Sequence, residues 1–152
     1  MNHTATIRWT LQGPDFLAGR YSREHIWTFD GGVTVPASPS PHIVPAPWSN
    51  AAGVDPEEAF VAAVASCHML WFLHVAKDAG YIVASYEDRA EGEMTRNEHG
   101  KLWVSRVALR PRIDWTGGKP PTAAEVAELH HRAHDECFIA NSIRTEVVTL
   151  PV

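Results

Sequence analysis

Cys67 and Cys137 are the only thiols in the chain, and both sit among residues that could alter a thiol's reactivity: Ser66-Cys67-His68 lies inside a long apolar run, and Glu136-Cys137-Phe138-Ile139-Ala140-Asn141 ends a second helical pattern. A cysteine attacks as its thiolate, so a reactive one needs a nearby cation or a helix N-terminus to lower its pKa. Cys67 falls about ten residues into its helical pattern, too far from the start for the dipole to help. The candidate cations are therefore the adjacent His68 and a loop that carries Arg20 and Arg23. The competing reading is that each cysteine is a small buried hydrophobe.

Nine histidines are many for this length, and His68, His130, His131 and His134 lie near the cysteines in sequence. His130, His134 and Cys137 are spaced i, i+4, i+7, which puts all three on one helix face and offers three ligands to zinc or another borderline metal. A fourth ligand is unassigned and no His-Glu-x-x-His pattern is present, so this stands as an alternative, with no cofactor as the main expectation.

Glu57 is a third candidate. It precedes Cys67 on the same helical pattern, and at about 1.5 Å and 100° per residue the two stand roughly 15 Å apart and nearly at right angles. They cannot meet within one chain. Either Glu57 serves the thiolate site of a partner subunit by orienting an arginine, or it is a first-turn acid that stabilises the helix dipole.

These residues need elements to position them. Asp55-Pro56-Glu57-Glu58 is a helix start, with a capping residue, proline at the first helical position and acids in the first turn; Gly80 closes the helix. Between Ala59 and Ala76 only Ser66, His68 and His74 are polar, so this helix must be buried on most faces. A transmembrane span is the rival, set aside because the stretch is at the short end of the roughly 17 to 25 residues required, is interrupted by polar side chains and lacks cationic flanks. Thr122-Ala-Ala-Glu125 is a capping box opening a second helix through about Glu136.

Strands are expected at residues 4–11 and 24–29, then as a long hairpin from Tyr81 to Ile113 turning at Arg96–Gly100, and finally at 145–150. The five prolines between Pro36 and Ala52 predict an extended connection without a regular element. The order implies an α+β fold with antiparallel sheet, and 152 residues suit a single domain. One sheet covers only one face of an all-apolar helix, so dimerisation around it is expected.

With 45% hydrophobic and 20% charged residues and a formal net charge of -5, the chain is expected to be soluble, without a nucleic-acid or anionic-membrane partner. Met1 to Trp9 lacks the basic and apolar regions of a signal peptide, so a reducing cytoplasm is expected. There a pair of cysteines is catalytic, metal-binding or inert rather than a permanent staple.

Asp55-Pro56-Glu57-Glu58-Ala59-Phe60, with Cys67 ten residues after Glu57, and Cys137-Phe138-Ile139-Ala140-Asn141 some seventy residues later resemble the signatures of the OsmC/Ohr family of hydroperoxide-reducing proteins. The likeness spans nearly the whole chain, 1–152, and is strongest to a branch carrying the Ser-Cys-His-Met-Leu-Trp and Ala-His-x-x-Cys-Phe-Ile-Ala-Asn-Ser phrases.

The resemblance implies an OsmC/Ohr-like α+β fold, with antiparallel sheets around a long buried central helix in an intertwined homodimer. It implies a peroxidase for organic hydroperoxides in which Cys67 attacks the O–O bond, Cys137 resolves the sulfenic acid as a disulfide, and a dithiol reduces that disulfide. By the same resemblance Arg23, with Arg20 as the fallback, polarises the peroxide and is held by Glu57. Met69, Trp71, Phe72 and Phe138 are candidates for an apolar substrate pocket. His68 and Phe138 depart from the family pattern and leave the substrate and reductant open. The alternative is a non-enzymatic binding or sensor protein with a His/Cys metal site.

Overall fold

Asp55 opens the long helix α1 (Pro56–Asp78) with a reciprocal pair of bonds: its Oδ1 accepts from the Glu58 N–H at 2.7 Å, and Glu58 Oε2 accepts from the Asp55 N–H at 3.2 Å. The helix ends at Gly80, whose φ of +82° suits glycine, with the Tyr81 N–H returning to the Ala76 carbonyl at 3.0 Å. Helix α2 (Ala123–Glu136) starts with the expected capping box of Thr122 and Glu125.

The computed structural model describes residues 1–152 and divides them into two compact units, Met1–Ala59 and Phe60–Val152. In the first, β1 (Ala5–Arg8), β2 (His25–Phe29) and β3 (Thr34–Ala37) form an antiparallel sheet in chain order. β3 corrects the expectation that the stretch from Pro36 to Ala52 holds no regular element, because it runs on through Pro36 to Ala37. It is an edge strand, where a missing N–H is tolerated, and the Pro36 carbonyl still accepts from the Val54 N–H at 3.0 Å.

In the second unit the expected hairpin is present but divided between two sheets. β4 (Ile82–Asp88) pairs antiparallel with β7 (Pro111–Thr116), while β5 (Glu91–Arg96) pairs antiparallel with β6 (Leu102–Leu109) across the Asn97–Gly100 turn. The break is fastened by side chains: the Arg110 N–H donates to Asp88 Oδ1 at 2.6 Å, and the Arg110 guanidinium pairs with Glu91 at 3.0 Å. The last strand, β8 (Glu146–Thr149), runs parallel to β6, contrary to the all-antiparallel expectation. Parallel neighbours need a long crossover, and here the intervening β7 and α2 supply it.

The core forms along one stripe of α1. Phe72, Val75 and Ala76 pack with Leu129 and Ala133 of α2, beneath Tyr81, Tyr86, Ile113 and Trp115; Val64 packs with Val107 and Leu109 of β6. Each large side chain buried this way stabilises the fold by about 1.5–3 kcal/mol. The expectation of burial on most faces is met only in part within one chain. Val64, His68, Phe72, Val75 and Ala76 are buried, whereas Ala62, Ala63 and Leu70 are exposed, Leu70 by 60%. By length and composition α1 could cross a membrane, but its buried stripe belongs to the core of the second unit.

β5 passes close against α1 at Gly92, where an added Cβ would stand 2.5 Å from the Val61 side chain. Val61 is β-branched and has few alternative rotamers. Gly92→Ala is expected to cost about 1–3 kcal/mol through overpacking, read as a lowered urea midpoint, with Gly31→Ala, in open space and without a positive φ, as the backbone comparison.

Candidate active site

Cys137 is the residue at which α2 ends: its backbone is extended, with φ -68° and ψ 109°, and its N–H bonds the His134 carbonyl at 3.2 Å. The thiol is turned inward at 1% exposure, and its Sγ accepts from the Ala140 N–H at 3.4 Å. The thiol of Cys67, half-buried on α1, is its neighbour. Residues seventy apart in sequence are thus brought close together. Burial, and then the neighbouring Cys67 thiol, push the Cys137 thiol up to about 11, so it is protonated at neutral pH. The two sulfurs are unequal: one reachable, the other enclosed and protonated.

His68, next to Cys67, does not supply the cation that sequence reasoning offered for it. Its ring is 1% exposed, and His68 Nε2 and His130 Nδ1 share a hydrogen bond at 3.0 Å. The ring centroids are 5.3 Å apart with planes within 12°. That separation is the bond plus the two ring radii, so the imidazoles meet edge to edge and nearly coplanar. Phe72 covers His130 at a centroid distance of 4.3 Å.

Burial holds both histidines down at about 4, His68 also feeling His130 and His134. Both are neutral at pH 7. The remaining nitrogens, His68 Nδ1 and His130 Nε2, are buried without a partner among the protein's own groups, a cost of about 1–3 kcal/mol for each such group. Sequence spacing gave no sign of this pairing, because its members lie on different helices.

The metal alternative is not assembled: no group of three His, Cys, Asp or Glu side chains is placed to hold an ion. The i, i+4, i+7 spacing of His130, His134 and Cys137 presumes a continuous helix. Instead Cys137 leaves the helix toward Cys67, and the His130 Nδ1 is committed to His68.

Arg23 and Glu57 belong to the first unit. The Arg23 guanidinium lies over the Tyr21 ring at 4.1 Å and donates to the Tyr21 carbonyl at 3.0 Å and the Gly19 carbonyl at 3.4 Å. It lines an apolar cleft of about 500 Å³ with Trp9, Phe16, Tyr21 and His25. Arg20 is instead an exposed partner of Asp15 at 3.3 Å. Glu57 is half-buried and pairs with no arginine of its own chain; the arginine ion pairs go to Asp15, Glu87, Glu91 and Glu146. Of the expected pocket residues, Phe72 is fully buried core, whereas Trp71 meets the exposed Phe138 edge-on at 5.4 Å beside Cys137.

The histidine pair gives a pH dependence of definite sign. Below about pH 6.5 the unfolded chain takes up protons that the folded chain refuses until about pH 4, so this contribution is complete above 6.5 and is lost as the pH falls toward 4. The loss is expected to reach about 2–3 kcal/mol per histidine. Urea midpoints at pH 7 and 4.5 should differ less in His68→Gln/His130→Asn than in the wild type.

A family model described as OsmC-like protein matches residues 49–150. Comparison with curated protein sequences yields no significant match. Among solved structures, an OsmC-like protein of unknown function from Vibrio cholerae is 48% identical, with a TM-score of 0.96 over 100% of this chain and 99% of that one. An organic hydroperoxide resistance protein from Elizabethkingia anophelis is 21% identical, with a TM-score of 0.72 over 99% and 95%. The organic hydroperoxide resistance protein OhrB of Bacillus subtilis is 22% identical, with a TM-score of 0.66 over 98% of each chain. The α+β architecture is thus that of the OsmC/Ohr structures, and the chain, matched over two thirds of its length, belongs to the OsmC-like protein family.

Proposed function

We propose that the protein is a thiol peroxidase that reduces organic hydroperoxides, with Cys67 as the attacking and Cys137 as the resolving residue. The observation that carries this reading is the closeness of a half-buried thiol to an enclosed one. The names of the Elizabethkingia anophelis and Bacillus subtilis proteins of like fold supply the substrate class.

The Cys67 thiolate attacks the distal oxygen of the hydroperoxide. The O–O bond breaks, the sulfur becomes sulfenic acid, and the alkoxide leaves as alcohol after taking up a proton. The Cys137 sulfur then attacks the Cys67 sulfur, an S–S bond forms, and the sulfenic hydroxyl leaves as water with the Cys137 proton. A cellular dithiol returns both cysteines to thiols and is itself oxidised to a disulfide. The raised affinity of Cys137 for its proton keeps it out of the first step. No resident cofactor or metal enters.

With His68 neutral, the charge that favours the Cys67 thiolate must come from an arginine. Arg23 is the candidate, with Arg20 second, and Glu57 on the partner subunit orients it. The exposed apolar flank of α1 at Ala62, Ala63 and Leu70, and Leu17 in the first unit at 99% exposure, support a homodimer. In it α1 is a core helix, and the protein is soluble and cytoplasmic, with 1–152 acting as one OsmC-like domain.

Treatment with one equivalent of cumene hydroperoxide should remove two hydrogens from the intact mass of the wild type. Cys137→Ser should gain one oxygen instead and form no intramolecular disulfide. Cys67→Ser should consume no peroxide in the presence of a dithiol; full turnover in that variant would refute the assignment.

A further inference from the structure

We infer that His68 and His130 are positioning residues for the Cys67–Cys137 pair, setting the register of α2 on α1 and with it the ease with which the two sulfurs close a disulfide. The inference rests on the proposed reading of the cysteines as a disulfide-forming pair, and it adds two residues that touch neither sulfur.

The contacts between the helices are otherwise undirected. Phe72, Val75 and Ala76 meet Leu129 and Ala133 through apolar surface, which resists separation far more than sliding, and two of the five are alanines. The one side-chain hydrogen bond between α1 and α2 is His68 to His130, at 3.0 Å with coplanar rings. Such a bond has direction: a slip of one residue moves a side chain by about 1.5 Å and 100° and breaks it.

Its place in the sequence matters as much. His68 follows Cys67 directly, and His130 stands two helical turns before Cys137, the residue at which α2 ends. A disulfide requires its Cα atoms within about 4.4–6.8 Å and a narrow range of dihedral angles, so a small displacement of α2 takes Cys137 out of range. Each imidazole leaves one buried nitrogen without a protein partner. An apolar pair of similar size would avoid that, and a buried polar link retained in this way is suited to fixing register.

On closure the two thiols release two protons and two electrons to the oxidant, here the oxidised glutathione or dithiothreitol of a redox buffer. The test is the reduction potential of the Cys67–Cys137 disulfide in such buffers, measured by thiol trapping and intact mass. His68→Leu/His130→Leu is expected to weaken the disulfide by about tenfold, which raises its potential by about 30 mV. His68→Gln/His130→Asn, whose amides reach the positions of the two bonded nitrogens, should restore most of that loss. Should the leucine pair fail to fold, His68→Asn/His130→Gln serves in its place, with the same groups at the wrong reach.

A wild-type potential in the leucine or swapped-amide variant overturns the proposal, as does an amide pair no better than leucine. No peroxide is used. A wild type that equilibrates with the buffers yet consumes no hydroperoxide therefore refutes the peroxidase reading alone, whereas one that never closes a disulfide overturns both.

Discussion

Everything in the second unit is arranged around the seam where α2 lies on the buried stripe of α1. Phe72, Val75, Ala76, Leu129 and Ala133 close it, Tyr86 and Trp115 roof it from the β4–β7 sheet, and the two helices it joins carry Cys67 and end at Cys137. Without the seam, Cys67 and Cys137 are unrelated residues on two helices. With it, a helix end delivers one sulfur to the middle of another helix. The crossover that makes β8 parallel to β6 runs through α2, so chain connectivity and site geometry share one element.

The seam is also electrically quiet. Its two imidazoles are neutral, Cys137 is protonated and its remaining buried surface is apolar, while Arg132 of α2 lines a cleft at its edge with the carboxylates Asp78, Asp135 and Glu136. In the proposed reaction the charge that favours the Cys67 thiolate is brought by Arg23, which the Tyr21 and Gly19 carbonyls fix beside an apolar cleft without neutralising it.

Much of this was legible in the residues. Asp55-Pro56 and Thr122 with Glu125 announce both helices because capping is local chemistry, written within four residues. The β5–β6 turn was legible for the same reason. What escaped depends on distance along the chain: the division of the hairpin at Arg110, the parallel pairing of β8, and the partnership of His68 with His130. β3 escaped because Pro36 breaks the local rule for strands, and only its edge position makes the proline harmless. The two cysteines could be singled out by context, yet their unequal burial is something no spacing reveals.

The edge-to-edge imidazoles carry an implication for how such a chain can change over time. Replacing either histidine alone by an apolar residue strands the other, whose two nitrogens are then both unpartnered, so the count of unmatched buried nitrogens stays at two while the directed link is lost. Replacing both removes the demand altogether. Positions 68 and 130, far apart in the chain, are thus bound to vary together, and a lineage that abandons one is driven to abandon the other.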